Sequence, residues 1–158
     1  MCFRFLPLLV LLPSLSVAQN VPDKVISVGD DDIEMNEAIE QARATLDDFL
    51  ALSRSPPRGT RSFKLKVKFA DENGAEHMWV TPFIQSGDNF SGVLANTPET
   101  VKNVQQSTIV HFGRADITDW GYVRDGKQFG SFTVCVMLRR MAPEEAKKYL
   151  NHGFQCQV

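Results

Sequence analysis

The sequence has little excess of charge of either sign and few residues of the kinds that bind metals. Its formal net charge is −2, and only three histidines and three cysteines occur among its 158 residues. A nearly neutral chain has no general attraction for nucleic acid or anionic lipid. The ligand spacings of zinc and iron sites, such as His-x3-His, His-Glu-x2-His and Cys-x2-Cys, are missing. We therefore expect no nucleic-acid partner, no metal and no cofactor.

The sequence also lacks the short motifs of nucleophilic catalysis. Ser91 precedes Gly92 but does not stand in a Gly-x-Ser-x-Gly elbow. Cys135 lies in a strongly apolar stretch, which is expected to be a buried strand and in which a thiolate would be disfavoured. Neither residue is therefore predicted to be a nucleophile.

A hydrolase or transferase would have to assemble its site from residues that are distant in the sequence. His77, Asp119 and Ser91 are the candidates, in a pocket under the first helix. Asp119, like Asp116 and Asp125, stands where a turn would use an aspartate side chain to bind the backbone. Because turn chemistry accounts for these aspartates, an enzyme is the less favoured hypothesis.

The apolar run near the N-terminus is too short to span a bilayer. It covers residues 5–12, follows Arg4 and precedes the small residues of Ser16-Val17-Ala18. This is the layout of a secretory signal peptide, whereas a membrane-spanning helix needs about 20 apolar residues. We predict a signal peptide over residues 1–18, removed after Ala18. The mature protein should be periplasmic or secreted, with no membrane insertion after signal removal.

Removal of the signal leaves about 140 residues, a common size for one compact domain. Residues 19–30 show no periodicity and are predicted to be a flexible leader, followed by a single domain over residues 31–158. Cys135 and Cys156 remain after processing, and an even number of cysteines in an oxidising compartment favours a disulfide bond. The alternative is a pair of buried thiols.

Apolar residues at helical spacing follow the leader. They are Met35, Ile39, Ala42, Leu46 and Phe49. This stripe, with Asp31 and Glu34 as a capping pair, predicts an amphipathic helix over residues 32–52. Pro56 and Pro57 then exclude further helix.

Beyond the prolines the pattern changes to that of strands. Apolar residues alternate with Lys64, Lys66 and Lys68, which are expected to face water from a strand with one buried face. The predicted strands cover residues 63–69, 75–81, 90–95, 108–112, 120–124 and 129–139, with hairpin turns at 71–74 and 125–126. A helical turn is expected at 99–104 and a short last helix from 143 to about 151. We predict an α+β fold, an antiparallel sheet of five or six strands covered by the N-terminal helix and the C-terminal helix.

A group of aromatic and polar residues on the predicted strands could form a recognition surface. Its members are His77, Trp79, Asp119, Trp120, Tyr122 and Arg124. Tryptophan, tyrosine and arginine combine contact area with hydrogen-bond donors, which suits protein recognition, and Asp119 is expected at the entrance. The alternative is that the tryptophans fill the space between sheet and helix.

Five stretches occur together in a fixed order. They are Met35-x3-Ile39-x3-Arg43-x2-Leu46-x2-Phe49, Glu76-His77-x-Trp79-Val80, Phe90-x-Gly92-x-Leu94-x-Asn96-x-Pro98, Ile117-x-Asp119-Trp120-x-Tyr122-Val123-x-Asp125-Gly126-Lys127, and Gly130 with Thr133. With these stretches the chain resembles the YegJ-like family, a bacterial domain of unknown function, over about residues 31–141. The resemblance implies bacterial origin and a small α+β domain that is sometimes joined to ankyrin-like repeats. It brings no established active site.

These features favour a small secreted or periplasmic binding domain. Small size, a disulfide bond and the lack of catalytic motifs fit an inhibitor or an immunity-type partner of another envelope protein. A periplasmic hydrolase or transferase with a site assembled by the fold is one alternative. A structural envelope component, which would expose an apolar patch or self-associate, is another.

Overall fold

The structure, a computed structural model, describes residues 31–156, so the predicted signal peptide and leader lie outside the described residues. The elements are α1 (Ile33–Ala44), α2 (Leu46–Arg54), β1 (Thr60–Asp71), β2 (Gly74–Ser86), β3 (Asn89–Leu94), β4 (Ile109–Gly113), a 3-10 turn (Arg114–Asp116), β5 (Ile117–Arg124), β6 (Lys127–Gly130), α3 (Phe132–Arg140) and α4 (Pro143–Leu150). The strands form one sheet of six in the order β4-β3-β2-β1-β5-β6. All neighbouring strands are antiparallel, which confirms the predicted α+β class.

The main core lies between α1, α2 and one face of the sheet. Phe49 of α2 is 2% exposed and stacks on Trp120 of β5, with 4.9 Å between the ring centroids. The same ring contacts Phe63 of β1 and Phe83 of β2. The predicted apolar stripe is therefore the buried side of the helical segment, as the spacing of its residues requires.

The helical segment differs from prediction because it is two helices separated at Thr45. The Thr45 hydroxyl donates to the Gln41 carbonyl, and the indole Nε1–H of Trp120 donates to the Ala42 carbonyl at 2.9 Å. These side-chain bonds occupy carbonyl groups at the end of α1, where the chain leaves helical geometry.

The predicted capping pair was wrong by one residue, since Asp32 caps α1. Its carboxylate accepts the Met35 N–H at 3.1 Å. Arg140, the last residue of α3, also donates to Asp32, and this hydrogen bond lowers the pKa of Asp32 to about 2. The ion pair thus joins the beginning of α1 to the end of α3.

The second face of the sheet is also covered in part, which corrects the expectation that the lysines of β1 face water. Lys66 is only 7% exposed, because α3 packs across this face. Lys64 is half-buried, and of the three lysines only Lys68 is exposed. When both faces of a strand are covered, side chains on both faces are buried. Alternation of apolar and charged residues therefore does not show that the charged ones face water.

The predicted strand over residues 129–139 was wrong, because β6 ends at Gly130 and α3 begins at Phe132. Gly130 (φ 72°) and Ser131 (φ 58°) both adopt left-handed geometry and turn the chain sharply between them. A side chain at Gly130 would meet the Trp120 ring at 2.4 Å, so this close approach requires glycine. Cys135 therefore lies in a helix, in which the β-branched residues around it were misleading.

The predicted helical turn at 99–104 was also wrong, since this loop is held by carboxylates instead. Glu76 of β2 is buried and accepts the N–H groups of Glu99, Thr100 and Val101 at 2.8–2.9 Å. Burial favours the neutral acid, but these donors hold the pKa of Glu76 below its usual value. Asp71 accepts the Lys102 N–H and fixes the next residue of the loop.

The predicted disulfide bond is confirmed between Cys135 of α3 and Cys156, with 5.2 Å between the Cα atoms. Beside it, Val134 and Leu138 of α3 pack on Trp79 of the sheet, with Tyr149 of α4 against them. The disulfide thus fixes the C-terminal segment to the helix that covers the second face. Within residues 31–156, none of the helices combines the length and the apolarity needed to cross a bilayer.

Replacing Phe49 by alanine should lower the free energy of unfolding by about 3–5 kcal/mol, because it leaves a cavity between α2 and the sheet. Ile33→Ala is the matched control, since Ile33 is 74% exposed and should change stability by less than about 0.5 kcal/mol. Urea unfolding followed by far-UV circular dichroism measures both. Equal losses for the two variants would contradict the docking of α2 on the sheet.

Cys156→Ser should lower the free energy of unfolding by about 3 kcal/mol without reductant, because it opens a covalent loop in the unfolded chain. The residues joined are 21 positions apart. In excess reductant the wild type should fall to the stability of the variant, as measured by thermal unfolding. A loss that is the same with and without reductant would argue against the bond in solution.

Candidate functional site

The six residues of the predicted recognition surface lie on two opposite faces of the sheet. Trp120, Tyr122 and Arg124 lie on the face covered by α2. Trp120 and Tyr122 are buried there, and the Arg124 guanidinium lies 4.7 Å from the centroid of the Phe129 ring. Trp120 thus fills the space between sheet and helix, as the alternative interpretation stated for the tryptophans, and Tyr122 stacks beside it.

Trp79, His77 and Asp119 lie on the other face. Trp79 and Asp119 are the register partners of Lys66 on its two sides. The Trp79 ring is 4% exposed, and the ammonium groups of Lys64 and Lys66 lie 4.1 Å and 5.2 Å from its centroid. His77 Nδ1 is 2.9 Å from Thr118 Oγ1. The structure therefore divides the predicted surface into two groups of three.

Asp119 is fully buried and does not stand at an entrance. Its carboxylate accepts the backbone N–H groups of Trp120, Phe132 and Thr133 and the Thr133 hydroxyl, at 2.6–3.2 Å. Lys66 Nζ donates to the same hydroxyl at 3.3 Å. Burial raises the pKa of Asp119 above its usual value, against the charge of Lys66 and these hydrogen bonds. The carboxylate thus caps the N-terminus of α3 and anchors the helix to the sheet.

The residues suggested for hydrolysis or transfer are not brought to one pocket. His77 is on β2, Asp119 is on β5 beyond β1, and Ser91 is on β3, with Ile84 and His111 as its register partners. Among residues 31–156, no group of three or more histidine, cysteine, aspartate or glutamate side chains is arranged to hold a metal ion.

The sheet is split between β1 and β2, and a groove lies at this split. The two strands pair continuously from Asp71 and Gly74 to Leu65 and Val80. Beyond that point, within the described residues, no register pair joins residues 60–64 of β1 to residues 81–86 of β2. The first segment continues its pairing with β5, and the second pairs with β3.

Two local features separate the strands. On β1, Ser62 adopts left-handed geometry (φ 57°), and the register with β5 shifts between Arg61 and Lys64. On β2, Pro82 has no N–H to donate to a ladder. The Thr81 hydroxyl donates to the Phe63 carbonyl at 2.9 Å, so a side chain provides the last bond between the strands.

The space between the separated strands is a groove of about 560 Å³, which we call the strand cleft. Its walls are Ser62 and Phe63 of β1 and residues 81–85 of β2, and the end of α2 closes one side with Ser53 and Arg54. Arg54 Nη1 donates to Gln85 Oε1 at 3.0 Å. The lining contains no acidic residue, and the volume is typical of ligand sites, which measure about 300–1,000 Å³.

The strand cleft continues onto an uncovered part of the sheet, which we call the open face. Ile84 belongs to both and is 72% exposed. Ser91 and His111 follow it across β3 and β4, and Ile109, which is 69% exposed, lies opposite Val93. One exposed isoleucine, Ile84, therefore lies at the rim of the strand cleft.

No pattern in the sequence indicated the strand cleft. Pro82 was the available signal, because proline in an internal strand argues against continued pairing. Pro82 directly follows the second predicted strand, which ends at Thr81. The position of Arg54 beside this strand depends on the packing of α2, which strand patterns do not contain.

The chain is similar to bacterial proteins of one family. A family described as "Uncharacterized protein conserved in bacteria (DUF2314)" matches residues 32–155. The chain is 32% identical to the uncharacterized protein YegJ of Escherichia coli K12 over 126 residues, which is 80% of this chain and 81% of that protein. It is 34% identical over 126 residues, 75% of this chain, to a putative ankyrin repeat protein of Neisseria meningitidis serogroup B, and spans half of that protein. No solved structure matches the chain significantly.

Asp119→Ala should lower the free energy of unfolding by about 3–5 kcal/mol, because it leaves Lys66 buried without its counter-charge and α3 without its cap. Asp48→Ala is the control, since Asp48 is exposed on α2 and should change stability by less than about 0.5 kcal/mol. Urea unfolding measures both. A wild-type stability in Asp119→Ala would show that α3 does not depend on this carboxylate.

Proposed function

This chain belongs to the bacterial DUF2314 family, and within that family we propose that it is a small envelope binding domain that docks another protein at the strand cleft. One observation carries the proposal: the sheet is open between β1 and β2, and the exposed side chain of Ile84 lines the opening. An opening in an otherwise paired sheet leaves backbone groups and apolar side chains available to a partner.

The proposed compartment is the periplasm or the extracellular space. The layout of residues 1–18 supports export, and the disulfide bond between Cys135 and Cys156 is of the kind that persists in oxidising compartments. Another envelope protein is then the natural partner, and an inhibitor or immunity-type role fits a domain that offers a binding surface.

A relative supports the choice of a protein as partner. The Neisseria meningitidis relative is named a putative ankyrin repeat protein, and the region similar to this chain makes up half of it. Ankyrin repeats stack into extended binding surfaces. A domain joined to such repeats would operate in protein recognition.

The second candidate function is that of a structural envelope component, and the open face supports it. Ile84 and Ile109 expose most of their surface, and β4 is an edge strand of the sheet. Edge strands and exposed apolar residues favour self-association. Sedimentation velocity at several concentrations distinguishes this candidate, which predicts oligomers that Ile109→Asp abolishes.

We expect the tagged chain, produced in the source bacterium, to begin at Gln19 and to retain one envelope protein in stoichiometric amount. Arg54→Glu should reduce the retained protein by about tenfold, because it reverses the charge at the strand cleft. Arg139→Glu is the matched control, since both arginines are exposed in the last turn of a helix. Quantitative affinity capture with N-terminal sequencing measures these outcomes.

Equal capture by both variants would contradict docking at the strand cleft. An intact Met1 on a cytoplasmic protein would contradict the envelope role. Capture of no protein by the wild type would contradict the binding function itself.

A further inference from the structure

We infer that the occupant of the strand cleft is an extended, acidic segment of the partner, which adds to the sheet as a strand along β2. This inference rests on the proposed function and names the chemistry of the partner. The backbone of the strand cleft, the charges beside it and the side chains at its walls support it independently.

Of the two strands that border the strand cleft, β2 has the more regular backbone. Residues 83–86 keep four consecutive register pairs with β3, whereas β1 is interrupted by the bulge around Ser62. A strand that is paired on one side presents a row of N–H and C=O groups on its other side. An extended segment of a partner pairs with such a row by strand addition, in which backbone hydrogen bonds provide the affinity.

The chain segment that leads into β1 beside the strand cleft is basic, and its Arg54 lines the cleft. Residues 53–61 contain Arg54, Arg58 and Arg61 and no acidic residue. Asp125 lies beside Gly59 and offsets part of this charge, but the excess remains positive. Arginine forms bidentate pairs with carboxylates, so a partner segment that lies in the strand cleft beside Arg54 is favoured when it carries glutamate or aspartate.

The side chains that line the strand cleft favour apolar residues in the bound segment as well as acidic ones. Phe63 and Phe83 line the inner side of the strand cleft and pack on Phe49, and Ile84 lies on the outer side. A segment that carries both apolar and acidic residues therefore matches the apolar lining of the strand cleft and the arginine beside it.

A membrane surface or a nucleic acid is less suited to this site. Each would contact only the arginines. The formal net charge of the whole chain is −2, which does not favour binding to a polyanion. Neither would use the open backbone edge of β2, which a peptide uses directly.

The test uses three capped, fluorescein-labelled octapeptides and the disulfide-bonded mature protein. In the first peptide glutamate alternates with valine, in the second lysine replaces glutamate, and in the third the central residues of the acidic peptide are proline. Fluorescence anisotropy should give a Kd for the acidic peptide about tenfold lower than for each of the other two. Lysine reverses the charge, and proline removes the backbone donors and blocks the strand.

Two further measurements locate the peptide. Hydrogen exchange followed by NMR should show slower exchange, when the acidic peptide is bound, at those alternate amides of residues 83–86 whose N–H groups point away from β3. Arg54→Glu should weaken binding of the acidic peptide by about tenfold and improve binding of the lysine peptide, whereas Arg139→Glu should change neither. The comparison among peptides on the wild type stands even if a variant fails to fold.

Several results would overturn the inference. These are equal affinity for the acidic and lysine peptides, equal affinity for the proline peptide, unchanged exchange at residues 83–86, or binding to anionic lipid vesicles or single-stranded DNA in place of the peptide. If a partner is captured in a manner that depends on Arg54 but the peptides fail, the strand addition is wrong and the proposed function stands. If capture does not depend on Arg54, the proposed function fails.

Discussion

The buried carboxylate of Asp119 is the interaction on which the covered part of the second sheet face depends. It accepts the first N–H groups of α3, and through Thr133 it is connected to Lys66 in the middle of β1. Without this carboxylate, the first N–H groups of α3 would be buried without a hydrogen-bond acceptor, which disfavours a helix at this position. The packing of α3 on Trp79 and the disulfide bond to Cys156 both follow from the position that Asp119 gives to the helix.

The same sheet is closed at one end and open at the other, and the difference has a local cause. From Leu65 to Asp71, β1 and β2 pair without interruption. Toward the other end, the left-handed Ser62 and the missing N–H of Pro82 prevent the pairing from continuing. The strand cleft is therefore part of the architecture, because each wall remains paired with its other neighbour and holds its shape without an occupant. A preformed site of this kind lowers the entropic cost of binding.

Prediction succeeded where a residue's role depends on its neighbours in the chain. The stripe from Met35 to Phe49 and the hairpin at residues 71–74 were both correct, because periodicity and turn chemistry are local. It failed at α3, where β-branched residues indicated a strand and the capping carboxylate came from β5, more than ten residues earlier. It also failed at Lys66, because nothing near this residue in the sequence indicates that a helix covers it.

The sequence by itself determined the family, the α+β class and the buried side of the N-terminal helices, since these follow from short motifs and periodicity. It favoured a bond between the two cysteines, which the structure confirms. Only the tertiary structure decided that the predicted aromatic group is divided between two faces and that the candidate site lies instead in the strand cleft. The physical reason is that the groove is lined by residues from separate elements, here Arg54 of α2, Phe63 of β1 and Ile84 of β2. Their proximity is set by how strands pair and separate, which local patterns do not specify.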